Sequence, residues 1–328
     1  MKNPLCRRKA LTGFLFALTC AASPLTHAQD SDITRIVVGF APGGAADSLA
    51  RIYAEQLRQE GLGNVLVENK PGASSRLALE YVKKAPADGK TIFIGPSPMF
   101  TIFPLTYKKL SYDPDKDLVP VALLTDVPTV IATAVDAPYK TLDQYVQWLK
   151  QNPAQGSLGL ASIGSAGHLG AFALSKELGL TVTPTPYRGA SPMLVDVVSG
   201  NVSMGWDAVA SMMPLYRGNK LRFLGVSGTR RIRALPDVPT AFEQGYPQFQ
   251  YATSWYGAYV SASTPEATQQ RLQDAFLKAS QNPAAVSKLE NLGLEVVGKS
   301  GAQARERMLA ERAAWSPVVK ASGFVAQD

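Results

Sequence analysis

Apolar residues fall in short groups along the chain, and the spacing within them alternates between two periods. The first group, Ile36-Val37-Val38-Gly39-Phe40, is a β-branched run of the kind that becomes a buried strand. Pro42-Gly43-Gly44 breaks it, because glycine permits backbone angles closed to other residues and proline fixes its own. Leu49, Ile52, Tyr53 and Leu57 then recur at helical spacing, with Arg51, Glu55 and Arg58 on the other faces. A strand, a glycine turn and a helix start gather several backbone N–H groups at one point, where the helix dipole adds partial positive charge. A carboxylate placed there gains roughly 0.3–1 kcal/mol from the dipole. One such end does not hold a ligand alone, so the remaining pattern matters for what faces it.

The alternation continues to the C-terminus. Strands are predicted at 64–68, 91–95, 182–187, 202–206 and 221–227, and one opens the stretch 157–168. Helices are predicted at 74–84, 169–178, 192–199 and 302–321, and another opens at Thr264-Pro265. Thr141 caps one more, with Gln144 completing a capping box and Leu142, Tyr145 and Leu149 on its apolar stripe. Strands alternating with helices indicate an α/β fold with a mainly parallel sheet, which binds ligands outside the carboxyl ends of its strands. The stretch Ser157–His168 repeats the opening architecture: a strand, a loop of glycine and serine, then a helix start. Two runs are long enough to cross between domains: 119–133, interrupted at Asp126-Val127-Pro128, and 253–260. At 328 residues the chain suits two domains. It carries no internal repeat or low-complexity linker, so the boundaries are expected at the crossing strands.

Composition changes this picture in three places. Hydrophobic residues at 46% and charged ones at 18% describe a globular chain, but residues 1–28 read separately. Lys2, Arg7, Arg8 and Lys9 precede an apolar core at 11–22 and a small-residue site at Thr26-His27-Ala28, as in a cleaved secretory signal. Arg7-Arg8 fits a twin-arginine signal poorly, and Cys20 sits in a weak lipidation context. The four cations of that segment belong to a formal charge of +7, so the remainder carries +3. With no basic cluster interleaved with aromatics, no nucleic-acid partner is expected. Both cysteines, Cys6 and Cys20, also lie in the signal, which leaves no disulfide, thiol nucleophile or cysteine metal ligand beyond it.

Catalytic and cofactor motifs are sparse. The loop Pro42–Asp47 contains neither G-x-G-x-x-G nor G-x-x-x-x-G-K-[ST], so a nucleotide loop is excluded and a plain strand-to-helix turn is the alternative. G-x-S-x-G fails at Ser162, two residues after Leu160, and at Ser165, two after Ile163. His168 is the one histidine beyond the signal: it is either an imidazole base or, beside a helix start, a loop-fixing group. A metal site would have to be all oxygen, and no D-x-D-x-D-G spacing exists. No metal or cofactor is therefore expected. Asp207, after Trp206 at a strand end, reads either as the N-cap of the segment 208–213 or as a ligand contact. Arg76 and Arg188 lie nearest to loops, where an arginine is usually a solvated surface charge.

Seven segments form an ordered set: IVVGFAPGGAAD, VLVENKPGA, YDPDKDLVPVALL, GSAGHL, TPYRGASPMLVDVVSGNVSMGWD, ALPDVPTAFEQGYP and TSWYGAYVSASTP. Together they resemble the Bug family, the TctC-type periplasmic substrate-binding proteins of tripartite tricarboxylate transporters. The resemblance implies a two-domain periplasmic-binding-protein fold, type II-like, with hinge strands and a central ligand cleft. One domain would comprise 29–124 and 254–328, the other 125–253. It also implies a periplasmic, non-enzymatic receptor for a small carboxylate, with integral-membrane transporter subunits as partners. A membrane sensor as partner, or a cleft hydrolase relying on His168, are the alternatives.

The resemblance further implies that a carboxylate is gripped by backbone amides and waters between two loops. The first is Ala41-Pro42-Gly43-Gly44, flanked by Phe40, Ala45 and Asp47; the second is Ser162-Ile163-Gly164-Ser165-Ala166-Gly167, followed by His168. Ser97-Pro98-Met99 and Asp207 would also line the cleft. Where the family often has G-G-N after PGA, this chain has Ser74-Ser75-Arg76, and a cation there suits a second carboxylate. Ala46 replaces the family's threonine before the aspartate, and Phe172 stands where a glutamate is usual. Trp206, Met99 and Phe100 are expected to supply flat apolar walls, so the expected ligand is a dicarboxylate with an apolar or aromatic middle rather than citrate.

Overall fold

The computed structural model describes residues 33–161, 165–187, 189–247, 249 and 253–326. The export-signal segment lies outside the described residues. Strand β1 (Ile33–Val38) runs between β2 (Asn64–Asn69) and β3 (Thr91–Pro96), parallel to both. Its side chains enter two cores. Ile36 and Val38 meet Leu49, Tyr53 and Leu57 of helix α1 (Ala45–Gln59), while Val37 meets Ala78 and Leu79 of α2 (Arg76–Lys83). A strand buried on both faces reads as a continuous apolar run rather than an alternating one.

Three antiparallel strands extend this sheet, β10 (Ser254–Ser261), β4 (Leu118–Val127) and β11 (Glu295–Ser300), in the order β11-β4-β10-β3-β1-β2. Helices α9 (Glu266–Gln281) and α10 (Pro283–Asn291) cover the face that carries α1. The short turns α3 (Pro98–Thr101) and α4 (Phe103–Thr106), with the long α11 (Gly301–Ser322), cover the other. The second sheet has the order β7-β6-β8-β5-β9, from β5 (Thr129–Ala134), β6 (Ser157–Leu160), β7 (Thr183–Pro186), β8 (Met204–Ala208) and β9 (Leu221–Val226). One face packs on α5 (Leu142–Gln151) and α6 (Ala166–Leu178), the other on α7 (Ala190–Val198) and α8 (Val209–Arg217).

The fold is α/β, but each sheet is mixed rather than mainly parallel. The chain leaves the first sheet along β4 and re-enters along β10; β10 runs antiparallel to both β3 and β4, and β4 antiparallel to β11. The run at 119–133 divides at Pro128, whose missing N–H interrupts the ladder. Val127 pairs with Ser254 on one side of the break, and Thr129 with Ala208 on the other. Just beyond the break, β5 is tied to the end of β9, since Ser227 N–H donates to the Thr129 carbonyl and Thr129 N–H to Ser227 Oγ, each at 2.9 Å.

Helix α11 grips both crossing strands where they leave the first sheet. Trp255 Nε1 donates to Glu311 Oε2 at 2.9 Å, and Arg307 donates Nε to Glu311 Oε1 at 2.8 Å and Nη1 to Asp126. Asp126 and Trp255 are register partners, so one arginine and one glutamate span the ends of β4 and β10. Burial raises the pKa of Glu311, and Arg307 partly offsets this. The helix is started by a capping box at Ser300 and Gln303. β11 and α10 escape sequence reading because Glu295–Ser300 is a half-buried edge strand without alternation.

Replacing Arg307 leaves two carboxylates facing each other without their shared cation. Arg307→Met, which keeps the apolar stem, is expected to lower stability by about 1–3 kcal/mol, discounted from the value for a fully buried pair because the site is part-exposed. A shift of the urea midpoint at unchanged m checks it.

Candidate functional site

The first loop is held by the helix it introduces. Asp47, 3% exposed in the first turn of α1, accepts hydrogen bonds from Gly43 N–H at 2.9 Å, Arg51 Nε at 3.0 Å and Asn69 Nδ2 at 3.0 Å. Asn69 ends β2 and also donates to the Phe40 carbonyl at 3.0 Å, so loop, helix and neighbouring strand are tied at one carboxylate. Burial alone would raise the Asp47 pKa; the bonds from Arg51, Gly43 and Asn69 more than offset it and hold the carboxyl below its ordinary value. Gly43 sits at φ +87°, a conformation that glycine takes without strain.

This arrangement reassigns two residues expected to touch a ligand. The Gly43 N–H is consumed by Asp47, and the Asp47 oxygens are turned onto the loop's own groups. Gly44 is the N-cap of α1 and no side chain caps it. The amides at the helix head without a helical acceptor are then those of Gly44, Ala45, Ala46 and Asp47. Ala41, Pro42 and Gly43 are exposed and Phe40 is half-buried.

Of the second loop, Ser162, Ile163 and Gly164 lie outside the described residues. Ser165 is the N-cap of α6, its Oγ accepting from His168 N–H at 3.3 Å, so the helix starts at Ala166, earlier than expected. Gly167 and Gly170 rest on the indole of Trp206: a Cβ at either would stand 3.0 Å or 2.6 Å from it. Trp206 also stacks on Phe249 at 4.7 Å and donates Nε1 to Thr129 Oγ1 at 2.7 Å. It therefore seats α6 against the crossing strand rather than forming a free wall. Leu169 is buried with Ile102, Trp315 and Val319, and the His168 ring lies edge-on to Phe324 at 4.5 Å. Burial lowers the His168 pKa and favours the neutral ring.

Strand neighbours fix where these pieces sit. β1 and β3 are adjacent and parallel, so the first loop and Ser97 emerge from the same end of the sheet. The first turn of α6 packs, through Leu169, on Ile102 just beyond Ser97. The head of α6 is thus packed beside the segment that follows β3. Ser97 is 2% exposed, exchanges backbone bonds with the crossing strand through Trp255 (Ser97 N–H to Trp255 O, 2.8 Å), and has its Oγ 3.3 Å from Ser254 Oγ. Pro98 opens α3 and is half-buried. Met99 and Phe100 are buried in the core with Phe93 and Trp255, and Phe100 stacks on Tyr259 at 4.3 Å. These two side chains serve the core and do not line an open surface.

Arg76 begins α2 after an uncommon turn, in which Gly72, Ala73, Ser74 and Ser75 all have positive φ (141°, 46°, 52° and 73°). Its Nε donates to the Ala73 carbonyl at 3.0 Å, and its guanidinium carbon lies 4.4 Å over the Tyr107 ring. The left-handed conformation of Ser74 and Ser75 was not expected from sequence, since serine is common in ordinary turns. Asp207, at the end of β8, accepts from the Ala208 amide and the Ser211 side chain in the first turn of α8, so it fastens a helix start. Burial pushes its carboxyl up to about 6, and Tyr256 of the crossing strand feels its charge. Among the described residues no group of His, Cys, Asp or Glu is placed to hold a metal ion.

Asp207 gives the fold a pH dependence of definite sign. Its folded pKa of about 6 exceeds the ordinary 3.8, so the associated stability is full below 3.8 and is lost as pH rises through 6. Asp207→Asn is expected to flatten this part of the stability–pH curve and to gain roughly 1–3 kcal/mol near pH 7.5. Denaturant titrations at pH 4, 6 and 7.5 would measure it.

Comparison with known proteins adds identity to this geometry. The family model described as the tripartite tricarboxylate transporter family receptor, TctC, matches residues 49–324. A UPF0065 protein of the tcbD-tcbE intergenic region of Pseudomonas sp. strain P51 is 31% identical, over 95% of this chain and 94% of its own. Among solved structures, the periplasmic binding protein BugD is 28% identical with a TM-score of 0.83, covering 90% of this chain and 99% of its own. A protein of R. palustris with adipate is 29% identical with a TM-score of 0.85, covering 89% and 97%. MatC from Rhodopseudomonas palustris with bound malate is 29% identical with a TM-score of 0.80, covering 88% and 99%. Among the described residues no helix is long and apolar enough to cross a membrane. The chain belongs to the TctC family of tripartite tricarboxylate transporter receptors, the periplasmic solute-binding proteins that include the Bug proteins.

Proposed function

We propose that this receptor captures a small carboxylate, a dicarboxylate with an apolar or aromatic middle, and presents it to integral-membrane transporter subunits. The two sheets are read as two domains, parted near 125 and 254, that close on the ligand about the crossing strands. The carrying observation is the first loop: Asp47 freezes it so that the head of α1 offers the amides of Gly44, Ala45 and Ala46. The head of α6, at Ser165–Gly167, supplies the facing set from the other sheet. A carboxylate bridging both heads binds the closed arrangement better than the open one, and this difference drives closure. Adipate and malate, the ligands of two structural neighbours, are both dicarboxylates. An enzymatic role for His168 draws no support from its place against Phe324.

Thermal-shift profiling of the mature protein against small carboxylic acids tests this reading, since a ligand at about a hundredfold excess over Kd stabilises by about 2.7 kcal/mol. Adipate or terephthalate is expected to shift the transition and citrate much less; citrate binding tighter than either would overturn the ligand class. Asp47→Ala, which releases the loop, is expected to weaken calorimetric affinity about tenfold or more, since the ordering of the amides is then charged to binding.

A further inference from the structure

We infer that Arg217 and Arg233, from the side of the second sheet, and the acidic end of α10 form a brake on closure. Their contact lies across the crossing strands from the first loop, holds the receptor open and lowers its affinity. The inference rests on the closing reading above and supplies what opposes that closure.

The contact joins elements that belong to different sheets. Arg233, in the segment after β9, donates Nη1 to Glu290 Oε1 of α10 at 2.8 Å. Arg217, in the last turn of α8, donates Nη2 to the Asn291 carbonyl at 3.2 Å. That carbonyl ends α10, where the helix dipole favours a cation. The turn after α10 rests on α8 itself, since a Cβ on Gly293 would stand 2.6 Å from Val209 Cγ1. Glu295 opens β11 just beyond this turn; burial raises its pKa, and the charges of Arg230 and Arg233 pull it back. Arginines from one side thus meet glutamates from the other over a close backbone contact.

Position gives the contact its sign. In the order β11-β4-β10-β3-β1-β2, the crossing strands β4 and β10 stand between β11 and β1. The Glu290–Glu295 stretch leads into β11, whereas the first loop follows β1. A rotation about the crossing strands that carries the second sheet toward the first loop carries it away from β11. Closure therefore breaks the ion pair rather than making it. A contact made only in the open arrangement lowers apparent affinity by the fraction of molecules it withholds. The Arg233 side chain is 82% exposed, so the pair is a weak one that a ligand overcomes.

Calorimetric titration with adipate and terephthalate tests the brake. Arg233→Gln and Glu290→Gln are each expected to bind about two- to fivefold tighter than wild type. One removes a positive charge and the other a negative one, so general attraction for an anion does not produce both gains. Exchanging the pair, Arg233→Glu with Glu290→Arg, is expected to restore the wild-type affinity. Small-angle scattering of the ligand-free proteins reads the same balance: the radius of gyration falls in each single variant and recovers in the exchange. Unchanged or weaker binding in either single variant overturns the brake and leaves carboxylate capture standing. A wild type that binds neither acid removes the capture reading instead; the scattering then decides alone, and a radius that neither variant changes overturns the brake.

Discussion

A single buried carboxylate sets the shape of the first loop, on which the proposed carboxylate capture depends. Asp47 reaches back from the first turn of α1 to the Gly43 amide and sideways to Asn69, which in turn holds the Phe40 carbonyl. The loop is thus closed into a ring of hydrogen bonds before any ligand arrives. Preorganised donors lose no ordering entropy on binding, which is where small ligands gain affinity from few contacts. Arg51 contributes by keeping Asp47 ionised despite its burial. A residue that looks like a ligand contact in sequence is the part that makes the neighbouring amides usable.

The rest of the fold sets two sheets on either side of a break in the crossing run. Pro128 interrupts the ladder between β4 and β5, and Ser227, at the end of β9, exchanges two hydrogen bonds with Thr129 just beyond the break. Helix α11 then anchors both strands through Arg307 and Glu311 on one side of the break. Trp206 extends the same logic to the second sheet, since it touches the crossing strand with its Nε1 and the glycine face of α6 with its ring.

How much of this was legible follows from which physical signals reach the sequence. The strand at 91–95, the helix through Leu49 and Leu57, and the long run broken at Pro128 are all periodicity or turn chemistry and stand where they were expected, while the first strand begins and ends earlier, at Ile33–Val38 rather than 36–40. The mixed sheets were not legible, because strand direction is set by partners far away in the chain. Apolar wall residues were misjudged for a related reason. Met99, Phe100 and Trp206 are large and near a loop, which fits a cleft and a core equally well, and only packing shows that all three are core. The left-handed turn before Arg76 leaves no mark in composition, since serine is common in ordinary turns.

The central claim is that amides at the heads of α1 and α6 meet the same carboxylate, and amide NMR of the mature protein titrated with adipate or terephthalate tests it most directly. The account requires the Gly44, Ala45 and Ala46 resonances and those of Ser165 to Gly167 to shift together, saturating at one shared concentration. Saturable binding that moves neither group, or moves only one of them, would contradict it.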